Sequence, residues 1–81
     1  MGREYKISCV APKGAALNAL LTRLPSPIHR NPMAEIYNYR VEADGFYFVD
    51  HHVAPEVAAV ALKAFLDSAL SANEKVTISE P

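Results

Sequence analysis

The chain has no tryptophan, a single cysteine and only three glycines in 81 residues. One cysteine excludes an internal disulfide and any Cys-x-x-Cys metal or redox loop. Three scattered glycines leave no Gly-rich phosphate cradle; Gly14 alone follows the first predicted strand, where it eases the turn into a helix. An excess of one charge is missing too. Eight Lys and Arg against nine Asp and Glu give a net charge of −1, which argues against a strong, salt-driven hold on nucleic acid. No apolar run approaches the roughly 20 residues that span a bilayer, and the polar residues after Met1 do not read as a signal peptide. The expectation is a soluble, cytoplasmic protein in a reducing compartment, with no cofactor and no membrane partner. Cys9, inside a predicted strand, reads as a buried, inert thiol.

What remains is 51% hydrophobic and 21% charged residues, a globular rather than a disordered composition. At this length residues 1–81 form one domain with a thin core. Residues 4–11 alternate, with Tyr5, Ile7 and Cys9 on one side and Lys6 and Ser8 on the other, which predicts a half-buried strand. Leu17, Leu20, Leu21 and Leu24 fall at helical spacing over residues 15–24, and Pro25 stops that helix. Pro25 to Pro32 reads as a stiff, extended connector carrying His29 and Arg30. Residues 35–42 alternate again, Tyr37, Tyr39 and Val41 against Asn38, Arg40 and Glu42, and a turn at Asp44-Gly45 returns the chain as residues 46–51. Pro55 opens a second helix at its first position, with Ala58, Ala61, Leu62, Phe65, Leu66 and Ala69 on one face. Asn73 is expected to end it in a left-handed cap. Residues 75–79 predict a last strand with Val76 and Ile78 inward.

The order strand, helix, strand, strand, helix, strand is the split βαβ pattern of ferredoxin-like folds. It predicts an α+β sandwich: two helices on one face of a four-stranded antiparallel sheet, the other face open. The hairpin decides what that open face carries. A two-residue Asp44-Gly45 turn sets Val41 opposite Phe48 and Ala43 opposite Phe46, and buries both phenylalanines. A three-residue loop with Gly45 in a bulge turns Phe46 and Phe48 outward instead. Burying two phenylalanines rather than Tyr47 and Val49 favours the first by about 1–3 kcal/mol.

Gly45-Phe46-Tyr47-Phe48-Val49 resembles the ribonucleoprotein octapeptide of the RNA recognition motif family, and the predicted topology fits that family. The resemblance implies single-stranded RNA stacked on Phe46 and Phe48. Asp44, Tyr47 and His51 stand where that pattern has a basic, a small and an aromatic residue. Asp50-His51-His52 suggests a third chemistry. Asp50 and His52 share a strand face, and with His29 they are candidate metal ligands or an acid–base pair. No nucleophile is placed beside them, so the balance is against an enzyme. The leading expectation is a non-catalytic protein-interaction or regulatory module, a homodimer acting through its open sheet face or a sheet edge. Val10, Arg40, Tyr47, Val49 and His51 are the candidate contact residues.

Overall fold

The computed structural model describes residues 2–30 and 33–81. Strand β1 (Arg3–Ser8) carries out the alternation its sequence sets: Ile7 is fully buried while Glu4 is exposed. Helix α1 (Gly14–Thr22) buries Leu20 and half-buries Leu17 and Leu21. It closes two residues before Pro25, where the Arg23 N–H donates to the Leu20 carbonyl at 3.1 Å.

The proline-rich connector is more structured than its composition suggests. Short strands β2 (Ile28–Arg30) and β3 (Met33–Glu35) pair antiparallel, with Ile28 opposite Glu35; Asn31 and Pro32 lie outside the described residues. The single strand expected over residues 35–42 is therefore divided. Buried Ile36 is the joint: its N–H donates to the Pro27 carbonyl at 2.7 Å, and its carbonyl accepts the His51 N–H at 3.0 Å. Strand β4 (Tyr37–Glu42) then runs on to β5 (Gly45–Asp50), helix α2 (Pro55–Ala72) and β6 (Thr77–Ser79).

The result is an α+β fold of two helices, a four-stranded antiparallel sheet in the order β4-β5-β1-β6, and the separate β2–β3 hairpin. Its element order is βαββββαβ, not the six-element βαββαβ expected, because the connector supplies two strands of its own.

The register of the β4–β5 hairpin also differs from expectation. Glu42 faces Gly45, Val41 faces Phe46 and Tyr39 faces Phe48, so the two turn residues are Ala43-Asp44 and not Asp44-Gly45. The pairing slips by two residues. Because side chains alternate with a period of two, an even slip leaves every residue on its expected face. Phe46 and Phe48 are accordingly fully buried. Gly45 is needed for a different reason than a tight turn. It is a buried strand residue at φ +140°, where an added Cβ would lie 1.9 Å from the Ile7 carbonyl oxygen. Close passage of β1 leaves room there for hydrogen alone.

The core is built on aromatic contacts. Tyr37 stacks on Phe48 at 5.3 Å between ring centres, and Phe65 of α2 meets Phe46 at 5.0 Å, Tyr39 at 5.2 Å and Phe48 at 5.8 Å. Offset and tilted pairs at these separations suit the ring quadrupoles. The Tyr37 hydroxyl, inside this cluster, donates to the Pro25 carbonyl at 2.6 Å. Leu20 joins from α1, and Ala58, Ala61 and Ala69 of α2 bring that helix close to the sheet. Pro55 opens α2 as expected, and Lys63 and Asp67 form the i,i+4 pair on its outer face at 2.7 Å.

Two details at the C-terminal end of α2 depart from the sequence reading. Asn73 is extended (φ −134°, ψ 139°), not left-handed. Its side chain closes the helix instead: Nδ2 donates to the Ala69 carbonyl at 2.8 Å, and Oδ1 accepts the Val10 N–H at 3.2 Å. Strand β6 covers Thr77–Ser79 only, and Ile78, opposite Ile7 and so on the core side as expected, is nevertheless 51% exposed. The reason is its place: α2 lies against β5, two strands away, and its cover stops short of that edge.

Candidate interaction surface

The face of the sheet outside the aromatic core is built from the alternate row of each strand. Cross-strand pairing sets Lys6 and Arg40 on either side of Tyr47, and Glu4 and Asn38 on either side of Val49. Four of the five candidate contact residues, Arg40, Tyr47, Val49 and His51, thus fall on one row. The Arg40 guanidinium lies over the Tyr47 ring at 4.5 Å, a cation–π contact. The Tyr47 hydroxyl donates to Glu4 Oε1, and His51 Nε2 bonds Asn38 Oδ1. Val10 does not join them. It follows the end of β1, 70% exposed, and is tied by its backbone to Asn73.

Lys6 is the hub of this row. Its Nζ donates to Glu42 Oε1 at 2.6 Å and Asp44 Oδ1 at 2.7 Å, clamping β1 to the hairpin turn across β5. Hydrogen bonds from Lys6 hold both carboxyls below their ordinary values, and those same bonds, Asp44 first, hold the Lys6 ammonium above its own near 10.5. A carboxylate with a depressed value stabilises the fold above the ordinary carboxylate range and loses that contribution as pH falls through the folded value. An ammonium with a raised value contributes below its ordinary value and loses it as pH rises past the folded one. The clamp is therefore complete across the neutral range and weakens at both extremes. Lys6→Met is expected to be less stable than wild type at pH 7, with the gap closing below about pH 4; urea titrations at pH 3 and 7 measure it. A pH-independent gap would mean the clamp contributes through packing alone.

Sequence reasoning missed this clamp because it depends on register. Nothing local shows that β1 pairs with β5 in the register that sets Lys6 opposite Tyr47, within reach of both Glu42 and Asp44. The apolar surplus expected on this face is also elsewhere. Tyr47 lies beneath Arg40 and Val49 is half-buried, so the row is polar and internally bonded. Exposed large apolar side chains lie on α2 (Val60, Leu70), on β3 (Met33) and along β4, where Tyr39 is 36% and Val41 38% exposed.

Phe46 and Phe48 are 0% exposed, so they present no ring to a base. Among the described residues no three His, Cys, Asp or Glu side chains come together to hold an ion. Asp50 Oδ1 instead accepts the His52 N–H at 2.8 Å, securing a turn in which His52 takes φ +61°. Burial raises the Cys9 thiol, keeping it protonated at neutral pH. A shallow groove of about 250 Å³ beside Arg23, Val60 and Lys63 is smaller than the ~300–1,000 Å³ of ligand pockets. Among the described residues no helix is long and apolar enough to cross a membrane.

The two edges of the sheet are unequal. β6 offers three residues, whereas β4 offers six in unbroken register with β5, without proline or bulge. The phase of the hydrogen bonds fixes what β4 presents. The Ile36 carbonyl, just ahead of β4, accepts from His51, and with that phase Asn38, Arg40 and Glu42 exchange bonds with β5. The alternation of antiparallel ladders then turns the N–H and C=O of Tyr39 and Val41 outward. Among the described residues β4 pairs with no strand but β5.

No protein-family model, curated protein or solved structure matches this chain.

Proposed function

We propose that the protein is a non-catalytic protein-binding module that takes a partner's strand onto the outer edge of β4. In this reading it is a ferredoxin-like sandwich with an inserted β2–β3 hairpin. The sheet strands, taken without that hairpin, run 2-3-1-4, and both helices lie on the core side. The observation that carries the reading is the contrast between the edges. Sheets ordinarily blunt an edge by shortness, proline, bulges or inward charge. β6 is blunted by shortness; β4 has neither shortness, proline nor bulge, and its edge charge is confined to Arg40 and Glu42. A strand added there would gain two-sided main-chain bonds at Tyr39 and Val41, with their exposed side chains flanking it.

Amide exchange tests this. In dilute monomer, Tyr39 and Val41 are expected to exchange at least tenfold faster than Asn38 and Arg40. A synthetic seven-residue alternating Val-Thr peptide in millimolar excess is expected to slow them. Protected Tyr39 and Val41 amides in the monomer, or no response to the peptide, would overturn the reading.

A further inference from the structure

We infer that the strand received by β4 is β4 of a second copy, paired antiparallel about a two-fold axis at Val41. This rests on the edge reading above and adds the partner and the register. Because the outward backbone groups belong to Tyr39 and Val41, two copies of β4 can meet in registers that differ by steps of two in the sum of paired residue numbers. Centring the axis on Arg40 sets Arg40 against its own copy, and like charges directly opposite repel. Centring it on Tyr39 sets Arg40 against Asn38. Centring it on Val41 sets Arg40 against Glu42 of the second copy, and the two-fold repeats that pair.

The side chains are already disposed for this. Arg40 and Glu42 share the polar face of the sheet, and cross-strand neighbours in a ladder point to the same side. Lys6 holds Glu42 Oε1, while Oε2 lies 3.5 Å from the Arg40 guanidinium of its own strand, so a second guanidinium would join an existing alternation of charge. On the other face Val41 meets Val41 between the two Tyr39 rings, covering apolar groups now 38% and 36% exposed. Polar pairs above the ladder and an apolar strip below it make this register self-complementary.

Sedimentation velocity on charge variants is the test. Wild type is expected to dimerise at tens of micromolar. Arg40→Glu and Glu42→Arg, each folded by circular dichroism, are expected to weaken self-association at least tenfold. Mixed in equal amounts they should form a heterodimer, since each Glu then faces an Arg. Val41→Pro removes an outward N–H without touching the β5 ladder, and is expected to be a folded monomer. A monomeric wild type at 200 µM overturns the second-copy partner, and the edge reading still stands if the Val-Thr peptide protects Tyr39 and Val41. A dimer indifferent to the charge variants, or a mixture that fails to recover, overturns the register.

Discussion

Gly45→Ala is expected to cost more than about 3 kcal/mol, enough to leave little folded protein at 37 °C. Two independent penalties meet at this residue. The backbone sits at φ +140°, a region essentially closed to residues with a Cβ. The Cβ itself would be driven to 1.9 Å from the Ile7 carbonyl oxygen and 3.1 Å from the Cys9 nitrogen. Neither neighbour can yield, because both are backbone, Ile7 within β1 and Cys9 just after its end. Moving that strand would also strain the Cys9 N–H bond to the Asp44 carbonyl at 3.1 Å. Gly14 is the internal control. It too has a positive φ, +57°, but nothing lies within 4 Å of where its Cβ would be. Gly14→Ala is therefore expected to cost only about 1–2 kcal/mol, the ordinary left-handed penalty. Urea unfolding of the two variants separates contact from conformation. Equal losses would mean that the approach of β1 is not what demands glycine at position 45.

Phe65→Ala is expected to remove about 3–5 kcal/mol, the usual range for a buried ring. A domain of this length has only about 4–12 kcal/mol of net stability, so the variant should be largely unfolded or melt tens of degrees earlier. The size of the effect follows from position. Phe65 is fully buried, touches three aromatic rings on two strands, and is the one large side chain among the four fully buried residues of α2. The others are alanines, Ala58, Ala61 and Ala69, which let the helix approach but contribute little area of their own. Thermal unfolding followed by circular dichroism measures the loss. A cost below about 1 kcal/mol would place the ring outside the core.

Those alanines also explain what the sequence made legible. The α2 face was readable because eighteen residues repeat one pattern and Pro55 marks the start. The strands β1 and β4 were readable from alternation, β5 from the turn before it, and the burial of Phe46 and Phe48 from the gain of covering two phenylalanines. The pairs that alternation cannot supply were not. Register depends on which residues lie directly opposite, and Gly45 looked like a turn residue because nothing local reveals that β1 passes against it. The β2–β3 hairpin rests on three-residue strands among prolines, too short for any periodicity to register. Asn73 has a composition suited to a left-handed cap, yet its amide found Val10, sixty-three residues away, and an extended backbone served that contact better. Arg40, Tyr47, Val49 and His51 share a sheet face while Val10 does not, and the character of that face was not legible. Arg40 over Tyr47 and Lys6 between two carboxylates are products of strand pairing.

The central position of β1 has a kinetic corollary. It precedes the other strands of its sheet in the chain, yet its hydrogen-bonding neighbours are residues 45–50 on one side and 77–79 on the other. Until residues 45–50 have emerged it has no partner, and until β6 has emerged it has one on one side only, so the sheet cannot assemble in the order of translation. Helix α2 and the β4–β5 hairpin, whose contacts are local, are the natural early structures. Closing the long loops that bring β1 between its neighbours should set the refolding rate, which belongs with slow mixed topologies rather than helical bundles.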